Sequence, residues 1–249
     1  MKRRSICILA LILALLLTAC GSSEPKNTEE NVAAVPETTK APTPEAKNVD
    51  YEITYTNAKT WTNSIGSTWV QTIVEIANTG TENLYLSSGS YDLENPDGSL
   101  VAAKSMVSAF PNVIAPGEKG YMYEETTLDN YNGDGNLNVL PRPDVKEAKV
   151  DLIRYSVTDL TVSDGQFGIK VMGRVENTSD EEGALVYVVA FFYDENDTLI
   201  GSAFTILSEK LAPGAKVGFE FSSFSLPDDV SVGNIKNTIV YAYPNQLQF

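Results

Sequence analysis

Ile169 to Phe221 contains Val175-Glu176-Asn177-Thr178-Ser179, then Phe192-Tyr193-Asp194-Glu195-Asn196-Asp197 with Leu199 behind it, then Leu211-Ala212-Pro213-Gly214. Upstream stand Ile76-Ala77-Asn78-Thr79-Gly80, Leu93-Glu94-Asn95-Pro96-Asp97-Gly98 with Leu100, and Ile114-Ala115-Pro116-Gly117. The offset holds from Asn78/Asn177 through Leu100/Leu199 and shifts only slightly by Pro116/Pro213. A period of roughly a hundred residues exceeds that of solenoid repeats, which run about 20–50. It reads as a duplicated domain.

Each copy alternates with the period of a strand. Val70, Thr72, Val74 and Ile76 share one face, and Ile169, Val171, Gly173 and Val175 take the matching parity. Two copies choosing the same face mark it as the core side. Asn78-Thr79-Gly80 and Asn177-Thr178-Ser179 read as turns. Strands are expected before each Asp/Asn-rich turn, at Tyr91–Glu94 and Val186–Asp194. Others follow the Pro-Gly turns, at Lys119–Thr126 and Lys216–Ser223. Val145–Val150 resembles Ile235–Val240 as a last strand. No stretch sustains a helical period, so the expectation is all-β, a sandwich of six or seven strands per domain. Lys146–Ile153 runs almost directly into Tyr155–Val162, which predicts a rigid tandem.

The first 20 residues differ in kind. Lys2-Arg3-Arg4 form a basic start, and Ile6 to Leu17 an apolar run shorter than the roughly 20 residues a spanning helix needs. The run ends in Leu17-Thr18-Ala19-Cys20, which resembles the bacterial lipobox. That resemblance implies a signal peptide over 1–19, cleavage before Cys20, and a diacylglyceryl group on its thiol, facing the extracytoplasmic side of the cell membrane. Two acyl chains, at about 0.8 kcal/mol per buried methylene, anchor stably where one would not. Residues 21–50 have no aromatic, leucine or isoleucine and hold Pro25, Pro36, Pro42 and Pro44. Such a segment cannot offset its ordering entropy, so 20–50 is expected to be a disordered tether on the order of 30–60 Å long.

The rest of the second copy resembles the FxLYD family of small immunoglobulin-like domains of bacterial envelope proteins. The matching residues are Val175-Glu176-Asn177-Thr178, Phe192-Tyr193-Asp194-Glu195-Asn196, Leu199-Ile200-Gly201, and Leu211-Ala212-Pro213-Gly214 followed by Phe219 and Phe221. The first copy is similar to a related lipoprotein module, departing with Glu94-Asn95 where the second has Tyr193-Asp194. The resemblance implies two tandem immunoglobulin-like β-sandwiches, over 51–153 and 154–249. It implies no reaction, because the shared residues are turn and core positions.

Composition narrows the chemistry. A net charge of −15 argues against nucleic acid as a partner. There is no histidine, and the two cysteines, Cys7 and Cys20, both precede the folded part. Ser-His and Cys-His catalysis and Cys-ligated metal sites are thereby excluded. No spacing singles out a Ser-Lys or paired-carboxylate site. The expectation is a protein without catalytic residues, metal or cofactor.

Three places are candidates for contact. Trp61 and Trp69 flank the Asn63–Ser67 turn, with Trp69 on the outer face beside Gln71. They form either a platform for a sugar ring or partner, or a cross-strand pair shielding their own sheet. With Val186, Val188, Ala190 and Phe192 inward, Tyr187, Val189, Phe191 and Tyr193 face outward, too apolar a row for water. The neighbouring domain, a loop or a partner must cover it. Asn130-Tyr131-Asn132-Gly133-Asp134-Gly135 begins like a calcium loop but has Pro141 where the closing acid belongs, and reads as a turn. These features predict a membrane-anchored binding module for an envelope protein or cell-wall glycan, or else a spacer within an envelope assembly.

Overall fold

The computed structural model describes residues 47–245 except 107, 132, 134, 167, 224, 225, 228 and 229. The leader, Cys20 and most of the tether therefore lie outside the described residues. The described chain is all-β, with fourteen strands and no helix. The first half holds β1 (Tyr51–Thr62), β2 (Thr68–Asn78), β3 (Leu84–Glu94), β4 (Leu100–Met106), β5 (Ser108–Phe110), β6 (Val113–Ile114), β7 (Lys119–Thr127) and β8 (Gly135–Glu147). The second holds β9 (Ser156–Gly165), β10 (Gly168–Glu176), β11 (Val186–Tyr193), β12 (Leu199–Leu207), β13 (Lys216–Ser222) and β14 (Asn237–Tyr243).

The pairing repeats. In the first half β1, β2 and β7 are antiparallel neighbours, as are β4, β3 and β8; in the second, β9-β10-β13 and β12-β11-β14 have the same order. Even the irregularities recur. The β3–β4 register slips between Leu93 and Glu94, and the β11–β12 register slips between Phe192 and Tyr193. The pairing of Leu84 with Ile114 in β6 returns as a single bridge between Gly183 and Leu211.

Period-2 patterning places the cores. Val70, Val74 and Ile76 join Leu84, Leu86, Tyr91 and Leu93 in one buried cluster. Ile169, Val171 and Val175 join Val186, Val188, Ala190 and Phe192 in another. The face chosen in both copies is thus the inward one. Asn78 and Asn177, read from sequence as turn residues, are buried staples. Asn78 Nδ2 donates to the carbonyls of Glu82 and Ile114, both at 2.9 Å, and Asn177 Nδ2 donates to those of Glu181 and Leu211, both at 2.7 Å. The Oδ1 atoms accept from the Gly80 and Ser179 amides. Each asparagine carbonyl takes the amide of Gly117 or Gly214, at φ 77° and 74°, a backbone region that glycine enters without strain.

The last strand of the first half departs from the sequence reading. Asn138 pairs with Glu94, and Asn237 pairs with Tyr193, so β8 begins well before Val145 and aligns with β14 through those residues. Pro141 and Pro143 hid it, since proline argues against a central strand. They are tolerated because beyond Leu137 β8 pairs with β3 alone and keeps a free edge. The two halves are then joined through residues 148–155, which hold no strand beyond the single bridge of Tyr155 to Ala242.

A third apolar cluster joins the halves. Ile73, Phe110, Tyr121 and Tyr123 pack with Val189, Phe191, Leu199 and Tyr243. Tyr121 meets Phe191 with ring centroids 4.2 Å apart, and its hydroxyl shares a 3.0 Å hydrogen bond with that of Tyr193. The Tyr55 hydroxyl donates to the Leu199 carbonyl at 3.1 Å. Burial pushes the Tyr121 hydroxyl well above its ordinary range, as does its bond to Tyr193. At the joint, Arg154 pairs with Glu118 and lies 5.0 Å over the Tyr241 ring. Both faces of β2 are consequently buried, one in the first core and one in this seam.

Candidate functional site: the rim of the seam

Two strands set the rim. On β12, Gly201 and Ala203 face the core, so alternation turns Ser202, Phe204 and Ile206 outward. β12 pairs with β11 only, which makes it an edge strand. Phe204 is 41% exposed and Ile206 42%, far more than the neighbouring outward residues of β11. β5, also at a sheet edge, brings Phe110 within 4.9 Å of Phe204 and 6.0 Å of Tyr187, measured between ring centroids.

Between these edges lies a cleft of about 340 Å³, walled by Phe110, Tyr187, Phe204, Ile206 and Tyr243 with Ser87 and Ser108 among its polar groups. Among the described residues no charged side chain lines it. Tyr243 stacks on Tyr187 at 5.7 Å and 12°, and its buried hydroxyl has no hydrogen-bond partner among the described residues. Its volume reaches the about 300 Å³ at which pockets for small ligands and side chains begin, and its lining is divided about evenly between polar and apolar surface.

Beyond Phe204 the seam turns polar. A smaller cavity of about 170 Å³ is lined by Tyr123, Glu125, Ser202, Ser222 and Ser223, with Phe204 as a shared wall. Gln71 Nε2 donates to the Tyr123 hydroxyl at 3.1 Å, and that hydroxyl donates to the Glu125 carboxylate in turn. Burial raises the Glu125 carboxyl above its ordinary 4.5, against the hydrogen bonds from Tyr123 and Gln71. A carboxyl raised on folding binds more protons folded than unfolded, so its contribution to stability falls as pH climbs from about 4.5 through the raised value. Glu125→Gln keeps an acceptor for Tyr123 and removes this penalty. Thermal melts from about pH 4 to pH 8 should show the variant matching the parent in acid and melting higher at neutral pH. Equal pH slopes would contradict the assignment.

The sequence candidates are placed as follows. Trp61 and Trp69 are opposite each other in the β1–β2 register and stack at 6.4 Å and 24°, with Trp61 only 9% exposed. Phe191 is fully buried, and Tyr187 and Tyr193 are half-buried, all facing the first half. Of the three coverings open to that row, the neighbouring half is the one seen. Tyr187 also reaches the cleft. Asp194 Oδ1 accepts the amides of Asn196 and Thr198, so its turn is closed by its own backbone, and the Thr198 amide holds the carboxyl below its usual range. Asn132 and Asp134 of the calcium-like turn lie outside the described residues, as does Cys20. Sequence reading missed Phe110, Phe204 and Ile206, although the outward phase of Phe204 and Ile206 was readable from their alternation with the small Gly201 and Ala203. It had no signal for Glu125 with Ser202 and Ser223, which converge from β7, β12 and the residue that follows β13.

No family model and no curated protein matches this chain.

Proposed function

We propose that the chain is a lipid-anchored extracytoplasmic binding protein without a catalytic role, built as two immunoglobulin-like modules, the second of the FxLYD type. The observation that carries this reading is the uncharged cleft beside the free edge of β12, where Phe204 and Ile206 stand exposed. An edge strand with apolar side chains next to a pocket suits an extended segment of an envelope protein, which adds as a strand and buries a side chain. The leader and Cys20 supply the membrane address, and the acidic chain repels anionic surfaces.

Replacing Phe204 and Ile206 together by serine tests it. A photo-reactive residue at Ser208 should yield one discrete adduct in intact envelopes, lost in the double variant while the melting temperature moves little. Retention of the same adduct would overturn the cleft as the docking place. An adduct abolished by digesting the cell wall would assign the cleft to a glycan instead. The seam supports a second reading, a rigid spacer, in which the double variant has no phenotype and a seam variant does.

A further inference from the structure

The geometry points to a second site in the seam, the polar cavity between Tyr123–Glu125 and Ser202, Ser222 and Ser223, and we propose that it takes a primary ammonium group on a short carbon stem. Its polar atoms are poorly served by the protein. Ser202, 2% exposed, and Ser223, 8% exposed, both line the cavity, and neither hydroxyl has a partner among the described residues. Gln71, which holds Tyr123, does not itself line the cavity. The donors nearest the carboxylate are already committed, Gln71 Nε2 to Tyr123 and the Tyr123 hydroxyl to Glu125. What is left is two buried hydroxyls, each able to accept or donate, and one negative charge.

Each feature narrows the ligand. Among the described residues no lysine or arginine lines the cavity, and a neighbouring charge acting on Glu125 is another acid, Glu124. A cation is therefore the missing complement. One carboxylate suits a single positive charge, where divalent ions gather several oxygen ligands. The volume of about 170 Å³ exceeds a bare ion, and Ala203 and Phe204 give an apolar wall for carbon. An ammonium has three donors, which the Glu125 carboxylate and the serine hydroxyl oxygens can accept, and Phe204 is an aromatic wall that tolerates a cation. The group belongs either to a free small amine or to a lysine side chain of a partner.

The site is separate from the cleft in its test, because Glu125 does not line the cleft. Amide spectra of the ¹⁵N-labelled full chain are recorded while methylammonium or Nα-acetyl-lysine methylamide is added. Tetramethylammonium and potassium chloride at equal ionic strength serve as controls. Saturable shifts at residues 123–125, 202–203 and 222–223 are expected, with a dissociation constant on the order of millimolar. Glu125→Gln should weaken binding about tenfold or more, and Ser202→Ala less, with both variants folded. Binding of the lysine derivative alone supports the site and assigns it to a partner's side chain; binding of both supports it with a free amine sufficing. Equal shifts with tetramethylammonium or potassium, no saturable shift, or unchanged affinity in Glu125→Gln would overturn it.

Discussion

A chain carrying Phe191→Ala should lose about 3–5 kcal/mol of stability, the usual cost of emptying a fully buried phenylalanine site. Phe191 is fully buried, with Tyr121 at 4.2 Å and Tyr241 at 5.9 Å between centroids. Its backbone is fixed on both sides by β12 and β14, so the strand cannot move in to fill the space. The loss also leaves the Tyr121–Tyr193 hydroxyl pair without its apolar shield. For a folded unit of this size each kcal/mol is about 2–4 °C, so melting should fall by roughly 6–20 °C. Phe204→Ala is the control. It removes the same ring from a site 41% exposed and should cost clearly less. Equal losses in the two variants would mean that the seam is not packed as described.

Asn177→Ala is expected to cost about 3 kcal/mol, through hydrogen bonds lost to the backbone and not through a cavity. Asn177 is fully buried and satisfies the carbonyls of Glu181 and Leu211 and the amide of Ser179. The Leu211 carbonyl keeps the Gly183 amide and the Glu181 carbonyl keeps the Ser179 hydroxyl, so each loses its second donor and not its only one. Three hydrogen bonds lost at about 0.5–1.5 kcal/mol each give the expected total. Asn177→Asp should be nearly as damaging, since a carboxylate keeps the acceptor but loses both donors. Asn78→Ala should reproduce the effect in the first half, because the same bonds are made there. Chemical denaturation of the three variants checks this, and a loss under 1 kcal/mol at Asn177 would contradict it.

What could be read in advance follows from the range of the interactions. Strand parity is local, so the sequence alone places Val70, Val74, Val186 and Val188 inward and sets the two tryptophans across one hairpin. The row Tyr187–Tyr193 announced that something must cover it. Its cover was not legible, because the contacts join residues such as Tyr55 and Leu199, 144 positions apart. The asparagines looked like turn formers, and only burial shows that their side chains hold the turn to a distant loop. β8 was obscured by two prolines whose cost depends on a free edge, which is a property of the sheet and not of the strand. The polar cavity had no pattern at all, since Glu125 belongs to β7, Ser202 to β12 and Ser222 to β13.

Both proposed sites exist only if the seam holds the halves in one fixed arrangement. Spin labels at Ala103 and Ser208, exposed positions in the first and second half, measure this through pulsed dipolar spectroscopy. One narrow distance distribution is predicted for the parent chain, broadening in Phe191→Ala. A broad or two-peaked distribution in the parent, unchanged by Phe191→Ala, would show that the halves move independently and that neither the cleft nor the polar cavity is a standing site.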